Sequence, residues 1–175
     1  MAFINVEIKA RVDSGEEVKQ LLEAKQARFE GVDHQIDTYF NTPNGRLKLR
    51  QGNIEQSLIF YSRPNQAGPK TSFVSLFRPE KDSDALLQTL DFALGKKVVV
   101  DKKRAIYYID NVKFHVDEVE GLGSFMEIEA MECENYPDQA ALQDQCDYYM
   151  EYLKVDSNKL VQVSYSDLIL QLHAD

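Results

Sequence analysis

Residues 5–11 read Asn5-Val6-Glu7-Ile8-Lys9-Ala10-Arg11, an alternation of polar and apolar side chains. In a strand, successive side chains point to opposite faces, so Asn5, Glu7, Lys9 and Arg11 share one side and Val6, Ile8, Ala10 and Val12 the other. One such strand describes a half-buried sheet with a solvated outer face. The pattern repeats, however. Leu47 and Leu49 alternate with Arg46, Lys48 and Arg50, Phe114 and Val116 alternate with Lys113, His115 and Asp117, and Glu127 and Glu129 flank Ile128. Strands that each carry cations and carboxylates on one face suit a closed sheet with a polar interior, which can hold a polyanion together with its metal ions.

Working outward, strands are expected near residues 3–12, 34–40, 46–51, 55–63, 71–78, 98–109, 112–119 and 124–131, with Asn44-Gly45 and Asp110-Asn111 as turns. Short connections make them mostly antiparallel. Ser14-Gly15-Glu16-Glu17 has capping-box spacing and opens a helix whose apolar stripe runs through Val18, Leu21, Leu22 and Phe29 to stop near Gly31. A second helix, capped by Asp82 or Ser83, runs through Leu86, Leu87, Leu90 and Leu94 to Gly95. A third has Pro137 in its first turn and continues through Leu142, Cys146, Tyr149 and Leu153. Ser164 opens a short last one through Leu168, Ile169 and Leu172. Arg63 to Lys70, with two prolines and a glycine, reads as a loop. The expected fold is α+β, an eight-stranded antiparallel β-barrel with a charged interior and helices packed outside, forming one domain over residues 1–175.

Bulk properties narrow the function. With 43% hydrophobic and 10% aromatic residues, the 175-residue chain can bury a real core. It lacks an apolar run long enough to span a bilayer, and Met1-Ala2-Phe3-Ile4 leads into a strand without a basic-then-apolar leader, so a cytoplasmic protein without a membrane partner is expected. Cys133 and Cys146 read as reduced cysteines, too few and too far apart for a metal cluster. A formal charge of -9 argues against general affinity for nucleic acid. An anionic substrate therefore needs a locally concentrated basic site.

The charged positions supply one. Glu7, Asp117, Glu127 and Glu129 are oxygen donors of the kind that hard divalent cations prefer. Each alone would be a surface residue, but they lie on the same alternating faces as Lys9, Arg11, Lys48, Arg50, Arg63, Lys102 and Arg104. Guanidinium groups bind phosphate oxygens bidentately and lysine supplies a compact charge, so together these residues describe a site for a metal-bound phosphate chain. His115 shares the face, and a lone histidine without a matched partner reads as a structural polar residue. Glu118 and Glu120 face solvent if Asp117 faces inward. There is no Walker-type loop, no GxGxxG and no serine-histidine-aspartate arrangement, and no general base is assigned.

These residues resemble the CYTH superfamily, the triphosphate tunnel metalloenzymes, along nearly the whole chain. NVEIKAR is similar to the family's E-x-E-x-K signature, GRLKLR to its basic strand, and DKKRAIYYID with FHVDEVEGLGSFMEIEA to its second half, while SYSDLIL resembles the tail of bacterial cyclase-like members. The resemblance implies an eight-stranded antiparallel tunnel that binds a triphosphate with Mg2+ or Mn2+. It implies that Glu7, Asp117 and Glu127 bind metal and that Lys9, Arg50, Lys102 and Arg104 bind phosphate. Arg63 aligns within a position of a further basic residue, and Lys48 and Glu129 follow from strand parity. The signature's first glutamate is Asn5 here, an amide that brings no charge, which bears on a second metal position.

The activity this resemblance implies first is that of a class IV adenylyl cyclase, forming cyclic AMP and pyrophosphate from ATP. A triphosphatase acting on inorganic triphosphate, thiamine triphosphate or a nucleotide needs nearly the same tunnel. A non-catalytic nucleotide or polyphosphate sensor is the third reading, since fold and site do not guarantee chemistry. The expected partner is a nucleoside triphosphate or other polyphosphate, and a homodimer is left open.

Overall fold

The computed structural model describes residues 5–62, 73–80 and 83–174. Its strands are β1 (Asn5–Arg11), β2 (Arg28–Phe40), β3 (Arg46–Gln51), β4 (Gln56–Ser62), β5 (Phe73–Phe77), β6 (Lys96–Ile109), β7 (Val112–Val119) and β8 (Gly123–Met131). The helices are α1 (Gly15–Ala24), α2 (Ser83–Leu94), α3 (Gln139–Tyr152) and α4 (Tyr165–Ala174). All eight strands form one antiparallel sheet in the order β1-β8-β7-β6-β2-β3-β4-β5, curled into a half-barrel with β1 and β5 as its edges.

The pleat sorts side chains as the alternation predicts. Val6, Ala10, Ala105, Tyr107, Phe114, Val116, Met126 and Ile128 point to the convex side and form the main core with Val18 and Leu22 of α1 and Leu142, Cys146 and Tyr149 of α3. The amphipathic stripes of those two helices thus cover one face of β1, β8, β7 and β6, leaving the other face free to be polar. A smaller cluster unites Tyr165 and Ile169 of α4 with Tyr39, Val98, Val100, Val119 and Phe125, which have the concave-face parity. α4 therefore caps one end of the concavity. Its start is fixed by a reciprocal cap, Asp167 N–H to Ser164 Oγ at 3.2 Å and Ser164 N–H to Asp167 Oδ2 at 3.4 Å, and by Arg46, which donates to both residues.

Three local expectations are corrected. The first helix ends at Ala24, not near Gly31, because Gln26 takes a left-handed φ of 57° and turns the chain into β2. Phe29 consequently belongs to β2 and stacks on Tyr107 at 4.8 Å. Ser14 stands at the N-cap of α1, but its hydroxyl makes no capping bond. Pro137 precedes α3, whose cap is Asp138, accepting from the Ala141 N–H at 2.8 Å. The turn at Asp110-Asn111 forms as a two-residue hairpin with Asp110 at φ 49°. The expected loop at 63–70 lies outside the described residues. Both cysteines are free, and burial pushes the Cys146 thiol up to about 12. Among the described residues, no helix is long and apolar enough to cross a membrane.

Candidate functional site

The concave face holds a cavity of about 230 Å³ to which all eight strands and the start of α4 contribute. Among the described residues six cations line it: Lys9 from β1, Lys48 and Arg50 from β3, Lys102 and Arg104 from β6, and Lys113 from β7. The lining carboxylates are Glu7, Asp37, Glu127 and Glu129. A chain of net charge -9 thus carries a local excess of positive charge at this one place.

Asp37, on β2, organises half of that charge. Its Oδ2 accepts from Lys48 Nζ at 2.8 Å, Lys102 Nζ at 2.9 Å and Arg50 Nη2 at 2.9 Å, and its Oδ1 from Arg50 Nε at 2.8 Å. Burial pushes its carboxyl up, but Lys48, Arg50 and Lys102 together hold it well below the usual carboxylate range. One carboxylate cannot neutralise three cations. The excess falls on Lys102, where burial, together with Arg104, Arg50 and Lys48, outweighs Asp37 and brings the ammonium down to about 7.

A second cluster surrounds Arg104. Its Nε donates to Asp117 Oδ1 at 2.8 Å, and its Nη2 donates to Asp117 Oδ2 at 2.6 Å and Glu127 Oε2 at 3.1 Å. Despite burial, those carboxylates hold the guanidinium charged well above its ordinary range. Glu127 also meets Lys9 Nζ at 3.3 Å and His115 Nδ1 at 2.9 Å. Burial first and the Arg104 charge next bring His115 down to about 4, so it is neutral, with its buried Nε2 unpartnered. Asp117, expected among the metal carboxylates, does not line the cavity. It is fully buried beneath Arg104, and its Oδ2 also accepts from the Tyr165 hydroxyl at 2.7 Å.

Glu7 and Glu129 are register partners on β1 and β8, and both line the cavity. Burial, and then the Glu7 charge, push the Glu129 carboxyl up. Asn5 Nδ2 donates to Glu129 Oε1 at 2.8 Å, so the amide that replaces the signature's first glutamate supports a carboxylate. Two adjacent carboxylates, one pushed up by burial and by the charge of the other, fit a hard divalent cation, which removes the repulsion. Among the described residues no three His, Cys, Asp or Glu side chains form a complete cage. Magnesium is usually held by one or two carboxylates and completes its shell with water and substrate phosphates.

Of the residues the sequence singled out, Lys9, Lys48, Arg50, Lys102, Arg104, Glu7, Glu127 and Glu129 come together here. Arg11 does not. It is exposed at the end of β1, donating to the Leu122 carbonyl at 2.9 Å with its guanidinium over Phe125, because the strand has passed beyond the cavity there. Arg63 lies outside the described residues. Glu118 and Glu120, at and just beyond the end of β7, are exposed. The sequence reading missed Asp37, Lys113, Tyr165 and Glu55, the last of which bonds Arg50 and Lys113. Lys113 was readable from the alternation of β7, and Asp37 from Gln35-Asp37-Tyr39 in β2.

The CYTH domain model matches residues 4–161. A candidate adenylate cyclase of Methanocaldococcus jannaschii is 26% identical over 95% of this chain and 98% of its own. Among solved structures, a conserved hypothetical protein of Pyrococcus furiosus superposes with a TM-score of 0.76 at 19% identity, covering 94% of this chain and 99% of that one. A Hippeastrum protein, described as a candidate adenylyl cyclase with a dominant triphosphatase activity, superposes with a TM-score of 0.61 at 16% identity, covering 98% and 97%. With a half-barrel of this topology and a family match over most of its length, the chain belongs to the CYTH domain family.

Proposed function

We propose that this chain is a metal-dependent enzyme acting on a nucleoside triphosphate held in the half-barrel, and that its reaction is the conversion of ATP to cyclic AMP and pyrophosphate. The observation that carries the reading is the row of six cations facing one cavity beside the Glu7–Glu129 pair. Lys9, Lys48, Arg50, Lys102, Arg104 and Lys113 bind phosphate oxygens, and Asp37 and Asp117 hold Lys48, Lys102 and the two arginines in place for that task. Glu7 and Glu129 are the residues that would hold Mg2+ or Mn2+, which when bound neutralises phosphate charge and polarises phosphorus. In cyclisation the ribose 3′-oxygen forms a bond to the α-phosphorus, the bond to the bridging oxygen breaks, and pyrophosphate leaves. The cations stabilise the charge that develops on that leaving group. The name of the Methanocaldococcus relative supports cyclisation.

The Hippeastrum neighbour supports a second reading, hydrolysis of a triphosphate with water as the nucleophile in the same cavity. Incubating the protein with ATP, thiamine triphosphate and inorganic triphosphate, each with Mg2+ or Mn2+, separates the two. Cyclic AMP identifies the cyclase. Orthophosphate released without cyclic AMP identifies the triphosphatase, and tight binding without turnover a sensor.

A further inference from the structure

We propose that Glu55 is an anionic end stop, which limits the length of the phosphate chain that the cavity accepts. This rests on the triphosphate reading above and adds which chains fit. The turn between β3 and β4 is folded across one end of the concave face, and Asp33 pins it there. Asp33 is fully buried, and its carboxylate accepts the N–H groups of Ile54 at 2.8 Å and Glu55 at 3.0 Å. Gly52 packs so closely that a Cβ on it would lie 2.6 Å from Asp33 Oδ1. Only glycine allows this approach.

Held in this way, Glu55 reaches across the sheet. Its Oε1 accepts from Lys113 Nζ on β7 at 2.7 Å, and its Oε2 from Arg50 Nη1 on β3 at 3.0 Å and Gln35 Nε2 at 3.1 Å. Two strands, β6 and β2, lie between β7 and β3 in the sheet, so one side chain bridges the middle of the concavity at that end. Both of its cationic partners line the cavity. Burial pushes the Glu55 carboxyl up, but Lys113, Arg50 and Arg104 outweigh this and bring it to about 2, so the stop stays charged at any working pH. A phosphate chain that has reached Arg50 and Lys113 meets a fixed negative charge there and must share those two cations with it. Like-charge contact of this kind discriminates by exclusion. A chain of three phosphates is accepted, and a longer inorganic polyphosphate gains nothing from its extra units.

The test is calorimetric binding of inorganic triphosphate and tetraphosphate, each as its magnesium complex, to the wild type and to Glu55→Gln. The wild type is expected to bind tetraphosphate no more tightly than triphosphate. Glu55→Gln removes the charge that competes for Arg50 Nη1 and Lys113 Nζ, opening them to one more phosphate, and should favour tetraphosphate by about tenfold, the worth of a charge-assisted contact. Adding Lys113→Gln to that variant should return the ratio to the wild-type value. If the amide variant does not fold, Glu55→Asp withdraws the charge by one methylene and should shift the ratio in the same direction. A wild type that already prefers tetraphosphate tenfold, or a folded variant with an unchanged ratio, overturns the end stop and leaves the triphosphate site standing. A wild type that binds neither chain overturns the triphosphate reading itself, and the end stop with it.

Discussion

Lys102 and Asp37 lie in contact with Nζ 2.9 Å from Oδ2 and side-chain exposures of only 2% and 1%. Yet the pair is not balanced, because Lys48 and Arg50 share the same carboxylate. The arrangement places more buried positive charge around Asp37 than that carboxylate offsets, and a bound anion would relieve it. Lys102 accommodates it by losing affinity for its proton, with a pKa brought down to about 7 by burial and its cationic neighbours.

Triphosphate binding should therefore take up a proton. At pH 8 the free protein holds Lys102 mostly neutral, and a bound polyanion restores the ammonium. Calorimetry at pH 8 in two buffers of different ionisation enthalpy should show the uptake, and Lys102→Met should abolish it. Stability has the matching sign. Between about 7 and the ordinary 10.5, the unfolded chain binds more protons than the folded one, so this group makes stability rise with pH across that window. A binding enthalpy independent of buffer would contradict the low Lys102 pKa.

Asp37→Asn should cost about 3–5 kcal/mol of stability, since removing one partner leaves buried charges uncompensated. Unlike a simple core defect, the loss should be partly reversed by ligand, because the polyanion supplies the missing charge. Saturation at a hundred times Kd contributes about 2.7 kcal/mol. Urea titrations with and without inorganic triphosphate measure both effects. A variant as stable as the wild type would mean that Asp37 is not the organising counter-charge.

The strand framework was legible because a polar interior imposes a period of two on β1, β3, β7 and β8, which local sequence displays directly. Asp37 was harder to see. It is the one charged residue in Gln35-Ile36-Asp37-Thr38-Tyr39, and its role depends on the register that sets β2 between β6 and β3. Glu55 sits in a turn, where alternation says nothing, and the Asp33 anchor fixes the backbone from which it reaches two cations of the cavity. Arg11 shows the converse error. Parity gave its side correctly, but not the point along β1 at which the cavity ends. Phe29 shared the spacing of the first helix, yet the left-handed turn at Gln26 placed it on a strand.

The cations should divide into two classes. Arg104 is buried against Asp117 and Glu127, so Arg104→Ala should destabilise by about 3–5 kcal/mol and obscure its effect on binding. Lys48 is 12% exposed, donates to Asp37 and lies over the Tyr39 ring. Lys48→Ala should cost on the order of 1–2 kcal/mol of stability, while weakening triphosphate by about tenfold. Thermal melts and calorimetry of the two variants check the division. An Arg104→Ala protein that melts like the wild type would place that guanidinium outside the structural network.

Asn5 Nδ2 lies 2.8 Å from Glu129 Oε1, beside the register pair Glu7 and Glu129. Asn5→Glu removes that donor and sets a third carboxylate next to the other two. Without metal, Glu129, already pushed up by burial and Glu7, should rise further. A carboxyl whose folded pKa exceeds its unfolded value loses stability as pH climbs through the ordinary carboxylate range, because the unfolded chain ionises first. The metal-free variant should therefore be less stable than the wild type at neutral pH, by about 1–2 kcal/mol. Divalent metal should reverse the order. An added carboxylate raises affinity for Mg2+ or Mn2+, so the melting temperature should climb more with added ion in the variant than in the wild type. Excess chelator should cancel both gains and abolish activity in both proteins. Turnover need not rise with affinity, since tighter binding of the ground state does nothing for the chemical step. Melting curves against metal concentration, at fixed pH and without nucleotide, isolate the effect. Equal metal-induced shifts in the two proteins would show that the ion sits away from Glu7 and Glu129.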